Sequence, residues 1–379
     1  MSDIEKNPVR SKVLIAMSGG VDSSVAAHRL VSEGYEVIGV TMRLVSDESR
    51  PVTGSQALDS SACCSLAASE DARRVAAFLG IPHYMLNLSD EFNEYVINPA
   101  REEYSRGRTP NPCILCNRFI KFKILLDRAD QLDCAFVATG HYARNIEDEN
   151  GYHLLRGVDT GKDQTYFLSF LTETELKRIL FPLGNDTKKS VRNEAKNLGL
   201  KVADRPESQD LCFLASGGSI IQNISETLTE KKGTIERLSG EIIGYHDGIS
   251  GFTIGQRKGI PGGQSEPLYV VKIENETNRI IVGTWDEGYA SYFTVTDMSF
   301  VSKKRFLEKR SNEIFVQVRY RTKPIKSIIT PLDDDFSRAE ISLSEPVRAV
   351  TPGQTAAIYD NDEVLGAGII ESVEIPISK

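Results

Sequence analysis

This 379-residue sequence has few cysteines, no long apolar run and no net positive charge, and each of these features narrows the classes of protein to which it can belong. Its six cysteines are too few and too unevenly spaced for a disulfide framework, so their positions indicate chemistry instead. No apolar run approaches the length of a membrane span, and the polar first residues lack an apolar signal segment, so we expect a cytoplasmic protein with no membrane partner. The formal net charge of −8 argues against indiscriminate nucleic-acid binding, although a local basic face remains compatible with it.

The order of apolar runs predicts an α/β protein with three domains. Strand-like runs at 13–17, 36–42, 83–88 and 135–139 alternate with amphipathic helical stretches at 67–79, 90–106 and 119–129. This alternation is typical of a doubly wound parallel sheet, with ligands at the carboxyl ends of the strands. From about residue 233 short strands and glycine-rich turns predict a small, mainly β central domain and then a β-barrel. We place the domains at 1–205, 206–290 and 291–379.

Residues 13–24 combine an apolar strand, a glycine loop and the start of a helix near Ser23. In Ser18-Gly-Gly-Val-Asp-Ser23 the glycines let backbone N–H groups approach a phosphate, and the serines and the helix N-terminus add donors and positive potential. Asp22 among phosphates is explained by a bridging Mg²⁺. Because the loop lacks the Gly-Lys-Ser/Thr ending of a Walker A motif, we expect it to hold pyrophosphate in an adenylation.

The cysteines are the second candidate for chemistry. Cys113 and Cys116 lie immediately before a predicted helix, and Cys212 lies much later. A helix N-terminus and basic neighbours favour the thiolate at Cys116, which predicts a reactive thiol. Three interpretations stay open for the set: a metal or iron–sulfur site, a pair of catalytic thiols, or inert buried cysteines. The absence of a second Cys-X-X-Cys counts against zinc, and Cys134 is expected in the core.

Taken together, the motifs resemble those of the tRNA-specific 2-thiouridylase family, a branch of the PP-loop ATP pyrophosphatases with an adenine nucleotide alpha hydrolase-like fold. The resemblance covers nearly the whole chain. It rests on these stretches: Ser18-Gly-Gly-Val-Asp-Ser23, Thr109-Pro-Asn-Pro112, Leu115-Cys-Asn117, Ile120-Lys-Phe122, Thr139-Gly-His-Tyr142, Lys162-Asp-Gln-Thr-Tyr-Phe167, Cys212-Phe213, Thr253-Ile-Gly-Gln-Arg-Lys-Gly259, Val318-Arg-Tyr320 and Thr351-Pro-Gly-Gln354.

This resemblance implies an ATP-dependent sulfurtransferase acting on the wobble uridine of tRNAs of the lysine, glutamate and glutamine types. ATP adenylates the C2 oxygen, and AMP leaves when sulfur attacks. The resemblance assigns a persulfide to Cys212 and the nucleophile role to Cys116, which leaves a Cys116–Cys212 disulfide. The sulfur would come from a persulfide donor such as a cysteine desulfurase or a relay protein.

Position and resemblance together nominate the binding residues. Strand ends and the glycine loop predict that the nucleotide is lined by Ala16, Met17, Ser18, Gly19, Gly20, Val21, Asp22, Ser23, Met42 and Gly140. The resemblance nominates contacts to tRNA at Asn111, Pro112, Cys113, Lys162, Asp163, Gln164, Arg319 and Tyr320.

One position departs from the family pattern. Many members have Asp where this chain has Cys113. The acid/base role of that carboxylate therefore does not transfer to Cys113. A second thiol, an iron–sulfur cluster held by Cys113, Cys116 and Cys212, and simple packing are the three alternatives.

Residues 303–326 carry a basic stripe with interleaved aromatic side chains, Phe306, Phe315 and Tyr320, a pattern that suits phosphate contact and base stacking on RNA. Flipping the wobble base out of its stack costs a few kcal/mol, which such contacts can offset. Two other function classes were weighed. An argininosuccinate-synthase-like ligase would need neither thiols nor a basic β-domain, and an RNA-binding protein with a nucleotide switch would not need Cys116 and Cys212.

Overall fold

The computed structural model describes residues 11–44, 66–204, 231–263, 265–310 and 313–375. They fall into two compact units. Unit 1 takes its residues from 1–96, 113–217 and 362–364, and unit 2 from 97–112, 218–361 and 365–379. Within the described ranges, none of the helices combines the length and the apolar character that crossing a membrane requires.

Unit 1 is built on a parallel sheet. The strands of the unit are β1 (Lys12–Ala16), β2 (Glu36–Arg43), β3 (His83–Asn87), β4 (Phe136–Ala138), β5 (Ala143–Asp148), β6 (Gly151–Arg156) and β7 (Ile179–Leu180). The sheet order is β3-β2-β1-β4-β7, and every pairing in it is parallel. The order reverses direction between β1 and β4, where open α/β sheets bind ligands. The predicted doubly wound sheet is confirmed.

The helices of the first 204 residues are α1 (Val21–Ser32), α2 (Leu66–Leu79), α3 (Ser89–Phe92), α4 (Asn98–Ser105), α5 (Pro112–Leu115), α6 (Leu125–Gln131), α7 (Thr165–Leu168), α8 (Glu173–Leu176) and α9 (Lys188–Asn197), with π-helical turns Asn93–Ile97 and Cys116–Ile124 and a 3₁₀ turn Lys201–Asp204. Of these, α4 belongs to unit 2. On α1 the side chains of Val21, Val25 and Leu30 are buried in the core beside β1.

Two predicted helices differ from the observed ones, and proline explains both. The single helix expected at 90–106 is interrupted by the π-helical turn before α4, whose Pro99 cannot donate to a helical hydrogen bond. The helix expected from residue 119 begins earlier, at Pro112, because proline is favoured at the first helical position.

A network centred on Arg29 joins α1 to α9 inside unit 1. The Arg29 guanidinium donates to both carboxylate oxygens of Glu194, at 2.6–3.2 Å, to the carboxylate of Asp186 and to the Pro182 carbonyl at 3.0 Å. These hydrogen bonds to Asp186 and Glu194 raise the pKa of Arg29 further above its ordinary value. The two helices are therefore held together by a charged, partly buried bond network.

Unit 2 contains a small sheet and a barrel. The small sheet has the order β10-β11-β8-β9 and consists of β8 (Gly233–Arg237), β9 (Ile242–His246), β10 (Tyr269–Glu274) and β11 (Arg279–Gly283), with 3₁₀ turns Ile249–Gly251 and Asp286–Gly288 nearby in sequence. The expected mainly β central region is confirmed.

The barrel follows directly in sequence. Its strands are β12 (Tyr289–Phe300), β13 (Ile314–Gln317), β14 (Ile325–Pro331), β15 (Ala339–Arg348), β16 (Thr355–Asp360) and β17 (Glu363–Glu374), with helix α10 (Lys303–Lys309) between β12 and β13. The order β12-β15-β14-β13-β16-β17 closes because β12 also pairs with β17. Closure removes free strand edges, and the predicted β-barrel is confirmed.

Candidate active site

The loop Ser18–Ser23, here called the phosphate loop, connects β1 to α1. The Ser23 hydroxyl accepts from the Ser18 backbone N–H and donates to the Gly20 carbonyl, both at 3.2 Å. Ser24 donates to the same carbonyl at 2.8 Å. Gly20 is the N-cap and has no side chain to accept from the first N–H groups of α1, so these groups suit an anion.

Two glycines of the predicted nucleotide site lie where a side chain would not fit. Gly19 has φ +69°, and a Cβ there would lie 2.1 Å from the Ala68 carbonyl oxygen. A Cβ on Gly140 would lie 2.9 Å from both the Asp22 carbonyl carbon and the Ser23 nitrogen. Gly140 follows β4, so its backbone packs directly against the start of α1. The structure therefore brings Gly140 to the phosphate loop.

Asp22 has two partners that sequence reasoning missed. Lys188 Nζ lies 2.8 and 2.7 Å from the Asp22 carboxylate oxygens, and the Tyr142 hydroxyl donates to Oδ1 at 2.8 Å. The Lys188 side chain is only 13% exposed, whereas that of Asp22 is 32% exposed. A cation beside the phosphate loop is thus supplied from α9, 166 residues away in sequence. Lys188 is the first residue of α9, and no local sequence pattern pairs it with Asp22.

Met17 and Met42 lie at the ends of neighbouring strands. The Met17 N–H donates to the Val40 carbonyl at 2.8 Å, and the Thr41 hydroxyl donates to the Met17 carbonyl at 2.7 Å. Met42 is half-buried at the end of β2. These bonds fix Ala16 and Met17 beside the end of β2, which is the arrangement expected of a nucleotide crevice.

The segment Lys162–Gln164 is held against Tyr142. The Gln164 side chain accepts from the Tyr142 N–H at 3.0 Å, and the Gln164 N–H donates to the Tyr142 carbonyl at 3.1 Å. Asp163 is buried and accepts from Arg156 at 2.6 Å and from Thr165 at 2.8 Å. Both Asp163 and Gln164 therefore bond within the protein and set the position of the loop that carries Lys162.

Cys116 lies inside a helical segment, as the first residue of the π-helical turn Cys116–Ile124. Cys113 belongs to the first turn of α5, so the expectation that both thiols precede the helix is wrong, because the helix begins at Pro112. Cys116 is buried and Cys113 half-buried, and neither is in a disulfide. Cys134 is buried as expected, and burial raises the pKa of its thiol to about 11.

The helical segment Pro112–Ile124, which carries Cys113 and Cys116, is here called the thiol helix. Aromatic packing links it to the residues around the phosphate loop. The Phe122 ring lies 6.1 Å from the His141 ring, and both contact Phe181 at 6.2 Å. His141 is buried and bonds Thr139 at 2.8 Å, and burial, with the charge of Lys121, lowers the pKa of the imidazole well below its ordinary value. His141 directly follows Gly140, so a neutral packed ring connects the two parts of the site.

The remaining predicted RNA contacts belong to unit 2. Asn111 and Pro112 end the segment before Cys113, with Asn111 half-buried and Pro112 buried. The Arg319 guanidinium donates to the Ile254 carbonyl at 3.1 Å and to the Thr351 hydroxyl at 2.6 Å. Tyr320 is 36% exposed. Tyr320 is therefore accessible to a partner, while one face of Arg319 is occupied within unit 2.

The basic stripe at 303–326 is less accessible than its sequence suggests. Phe306 is fully buried in the barrel core, so the expectation that it stacks on a base is wrong. Arg305 is also buried, and Lys309 pairs with Asp360 at 2.7 Å. The amphipathic helix α10 turns its apolar side into the barrel, which leaves Lys303 and Lys304 as its exposed cations.

Cys212, the predicted persulfide residue, lies outside the described residues. Among the residues that the structure does describe, no three His, Cys, Asp or Glu side chains are grouped as a metal site would require. The iron–sulfur alternative needs Cys212 as a ligand and so stays a prediction.

Comparison with known proteins identifies the family. A family model described as "tRNA methyl transferase HUP domain" matches residues 11–216, one described as "tRNA methyl transferase PRC-barrel domain" matches 222–284, and one described as "Aminomethyltransferase beta-barrel domain" matches 290–370. Among solved structures, NMN synthetase from Francisella tularensis is similar over 57% of this chain and 73% of its own, with 18% identity and a TM-score of 0.34.

Curated relatives match over nearly the full length. The tRNA-specific 2-thiouridylase MnmA 2 of Caldanaerobacter subterraneus subsp. tengcongensis is 47% identical over 95% of this chain and 98% of its own. The tRNA-specific 2-thiouridylase MnmA of Acetivibrio thermocellus is 44% identical over 96% of this chain and 99% of its own. With its phosphate loop, its thiol-bearing helix and its full-length relatives, this chain belongs to the tRNA-specific 2-thiouridylase family.

Proposed function

We propose that this protein is an ATP-dependent tRNA sulfurtransferase that replaces the C2 oxygen of the wobble uridine with sulfur. One observation carries the proposal: the phosphate loop, the Lys188–Asp22 pair and the helix that begins at Pro112 all converge on the turn Thr139–Tyr142. An anion site and a thiol on adjoining elements suit activation by a nucleotide followed by sulfur transfer. Reaction with tRNA and ATP would take place in the cytoplasm.

The chemistry requires two displacements. The uracil C2 oxygen attacks the α-phosphorus of ATP, and pyrophosphate leaves with its electron pair. Sulfur then attacks C2, the C2–O bond breaks, and AMP leaves. Activation is necessary because an oxygen on uracil C2 is a very poor leaving group without it.

The phosphate loop would hold the leaving pyrophosphate. The first N–H groups of α1, the loop serines and Lys188 supply donors and positive charge where negative charge develops. Lys188 neutralises Asp22 in the structure, and we propose that it turns to the phosphates when the nucleotide binds. Ala16, Met17, Met42 and the backbone beside Gly140 would line the adenosine.

Magnesium fits this site through Asp22. Its partly exposed carboxylate is a hard oxygen ligand, and Mg²⁺ in nucleotide sites is held by one or two carboxylates plus phosphate oxygens. When bound, the ion would shield phosphate charge. The chain's own part is to orient that carboxylate, which the Tyr142 hydroxyl does at 2.8 Å.

The sulfur step is assigned to two cysteines. A persulfide on Cys212, loaded by a cysteine desulfurase or a relay protein, carries the transferable sulfur. Cys116 thiolate attacks the inner sulfur at Cys212, the outer sulfur leaves as hydrosulfide and attacks C2, and a Cys116–Cys212 disulfide remains. A cellular thiol reductant restores both cysteines. The alternative is a cluster on Cys113, Cys116 and Cys212 that delivers sulfide.

The RNA would be a tRNA with a wobble uridine, of the lysine, glutamate and glutamine types. Asn111, Pro112 and Cys113 would face the target base, Lys162 the nearby backbone, and Arg319 with Tyr320 a further part of the tRNA. Tyr320 offers an exposed ring of the kind on which unstacked bases pack.

The test is anaerobic thiolation of unmodified tRNA with ATP, L-cysteine and a cysteine desulfurase that supplies the persulfide sulfur, scored as 2-thiouridine by nucleoside mass spectrometry. Iron-free protein should form the product, and Cys116→Ser should abolish it. Cys134→Ser is the matched control, since this buried thiol lies outside the proposed chemistry. Product only after iron–sulfur reconstitution would replace the persulfide route with the cluster, and no product in either state would refute the proposed function.

A further inference from the structure

A turn in the barrel unit holds the segment that leads into the thiol helix. This turn, residues Thr351–Gln354, is here called the clamp turn. The Thr109 N–H donates to the Pro352 carbonyl at 2.9 Å. The Gln354 side-chain amide donates to the Thr109 carbonyl at 2.8 Å and to the Pro110 carbonyl at 3.2 Å. The backbone of Thr109 is therefore bonded on both sides by one turn.

Gly353 makes the close approach between the two backbones. Its φ is +89°, and a Cβ there would lie 3.0 Å from the nitrogen, carbonyl carbon and oxygen of Thr109. Its N–H donates to the Ile370 carbonyl at 2.8 Å, which fixes the turn to β17. No larger residue fits without moving Thr109.

A second bond holds the residue before Thr109. The Arg108 guanidinium donates to the carbonyls of Glu371 and Ile370, both at 3.2 Å, and pairs with Glu103 at 2.6 Å. The backbone at Arg108–Pro110 is thus held by the barrel before the chain reaches the helix that begins at Pro112.

Prolines carry that restraint forward to the cysteines. Pro110 and Pro112 fix their own φ angles and restrict the residues before them, so Asn111 has little conformational freedom. Pro112 begins the helix in whose first turn Cys113 lies, and Cys116 follows it. Residues 110–112 therefore form a short, conformationally restricted link between Thr109 and Cys113.

We propose that the clamp turn is a positioning element for sulfur transfer: by holding Thr109 and Pro110 it sets the geometry of Asn111, Cys113 and Cys116. The proposal rests on the proposed function for the meaning of these three residues. Arg319, a proposed RNA contact, donates to the hydroxyl of Thr351 in the same turn.

The decisive comparison is Gly353→Ala against Gly240→Ala. Both glycines have nearly the same left-handed φ, +89° and +87°, but a Cβ on Gly240 meets nothing within 4 Å. The backbone strain of the two variants is therefore alike, and only Gly353→Ala pushes on Thr109. We expect a decrease in Tm in both variants, larger in Gly353→Ala because of its added contact with Thr109, an unchanged Kd for ATP in both, and a kcat for thiolation, measured well below either Tm, at least about tenfold lower in Gly353→Ala alone.

A readout independent of turnover is the rate at which iodoacetamide alkylates the half-buried Cys113, followed by peptide mass spectrometry. We expect Gly353→Ala to change this rate at least about threefold and Gly240→Ala to leave it as in the wild type. Gln354→Glu, which replaces the donating amide by a carboxylate facing two carbonyls, should reproduce the effect of Gly353→Ala on both measurements.

Equal kcat and equal alkylation rates in the two glycine variants would overturn the proposal. A wild-type protein that forms no 2-thiouridine would refute the proposed function instead. In that case the alkylation rates alone still decide whether the clamp turn positions Cys113.

Discussion

Removing the Lys188 ammonium gives the sharpest test of the proposed nucleotide site. In Lys188→Met the Asp22 carboxylate keeps the Tyr142 hydroxyl and loses its cation, which lies at 2.7 and 2.8 Å. Methionine retains most of the packing of the aliphatic stem. The variant therefore separates the charge of residue 188 from its volume.

The expected size follows from the exposure of the pair. Exposed ion pairs contribute about 0.2–1 kcal/mol, whereas breaking a buried pair costs about 3–5 kcal/mol. Lys188 is 13% exposed and Asp22 32%, which places this pair between those limits. We expect Lys188→Met to lower the free energy of unfolding by about 2 kcal/mol. Asp22→Asn should cost a similar amount, and the double variant should cost less than the sum of the two.

The affinity of Lys188→Met for ATP shows whether Lys188 contacts the phosphates or serves only as the counter-ion of Asp22. A charge-assisted hydrogen bond to a phosphate contributes about 1.5–3 kcal/mol, so Lys188→Met should weaken ATP binding roughly 10- to 100-fold. Isothermal titration calorimetry with ATP and Mg²⁺ would measure the Kd for ATP. Lys188→Arg keeps the charge and should therefore lose far less affinity. If Lys188→Met binds ATP as tightly as the wild type, the assignment of Lys188 to the phosphates is refuted.

Three other changes test separate parts of the structure. Gly140→Ala places a Cβ 2.9 Å from backbone atoms at the start of α1 and should cost about 1–3 kcal/mol of stability and weaken ATP binding, while Gly251→Ala, where a Cβ meets nothing within 4 Å, should change neither. Because burial raises the pKa of Cys134 to about 11, native protein at pH 8 should resist alkylation there, and protein unfolded in guanidinium should react; rapid native reaction would contradict the packing. Hydrogen bonds from neighbouring cations lower the pKa of Glu274 to about 2, so its contribution to stability is complete above pH 4.5 and is lost as the pH falls towards 2. Urea unfolding should therefore show Glu274→Gln less stable than the wild type at pH 6 but similar to it near pH 2. A difference in the free energy of unfolding that does not change with pH would contradict this role of the Glu274 carboxylate.

The elements that the sequence predicts well are those with a local cause. The strands β1 to β4 follow from short, mainly apolar runs between helical stretches, and the phosphate loop follows from glycines placed between a strand and a helix. The start of helix α5 was missed because Asn111-Pro112 has the composition of a loop, although proline also suits the first position of a helix. The β5–β6 hairpin was missed too, even though Asn150-Gly151 is a strong signal for a tight turn.

The parts of the site that escaped prediction are long-range. Lys188 reaches Asp22 across 166 residues, and Gln354 reaches Thr109 across 245. Neither contact leaves a local trace, because a lysine in a helical first turn and a glutamine after glycine are each ordinary surface patterns. Phe306 shows the opposite error, since its interleaving with cations suggested exposure while helical periodicity places it in the barrel core.

The attachment of α9 to α1 has a consequence for how the enzyme completes a cycle. The two helices touch at two charged points, Asp22 with Lys188 and, seven residues further along α1, Arg29 with Asp186 and Glu194. Seven residues of helix span about 10.5 Å, so the points are well separated. If Lys188 turns from Asp22 to a phosphate, as proposed, the bonds of Arg29 to Asp186 and Glu194 would still hold the two helices together. The contact that would change during turnover is thus separate from the contact that maintains the packing of α1 on α9.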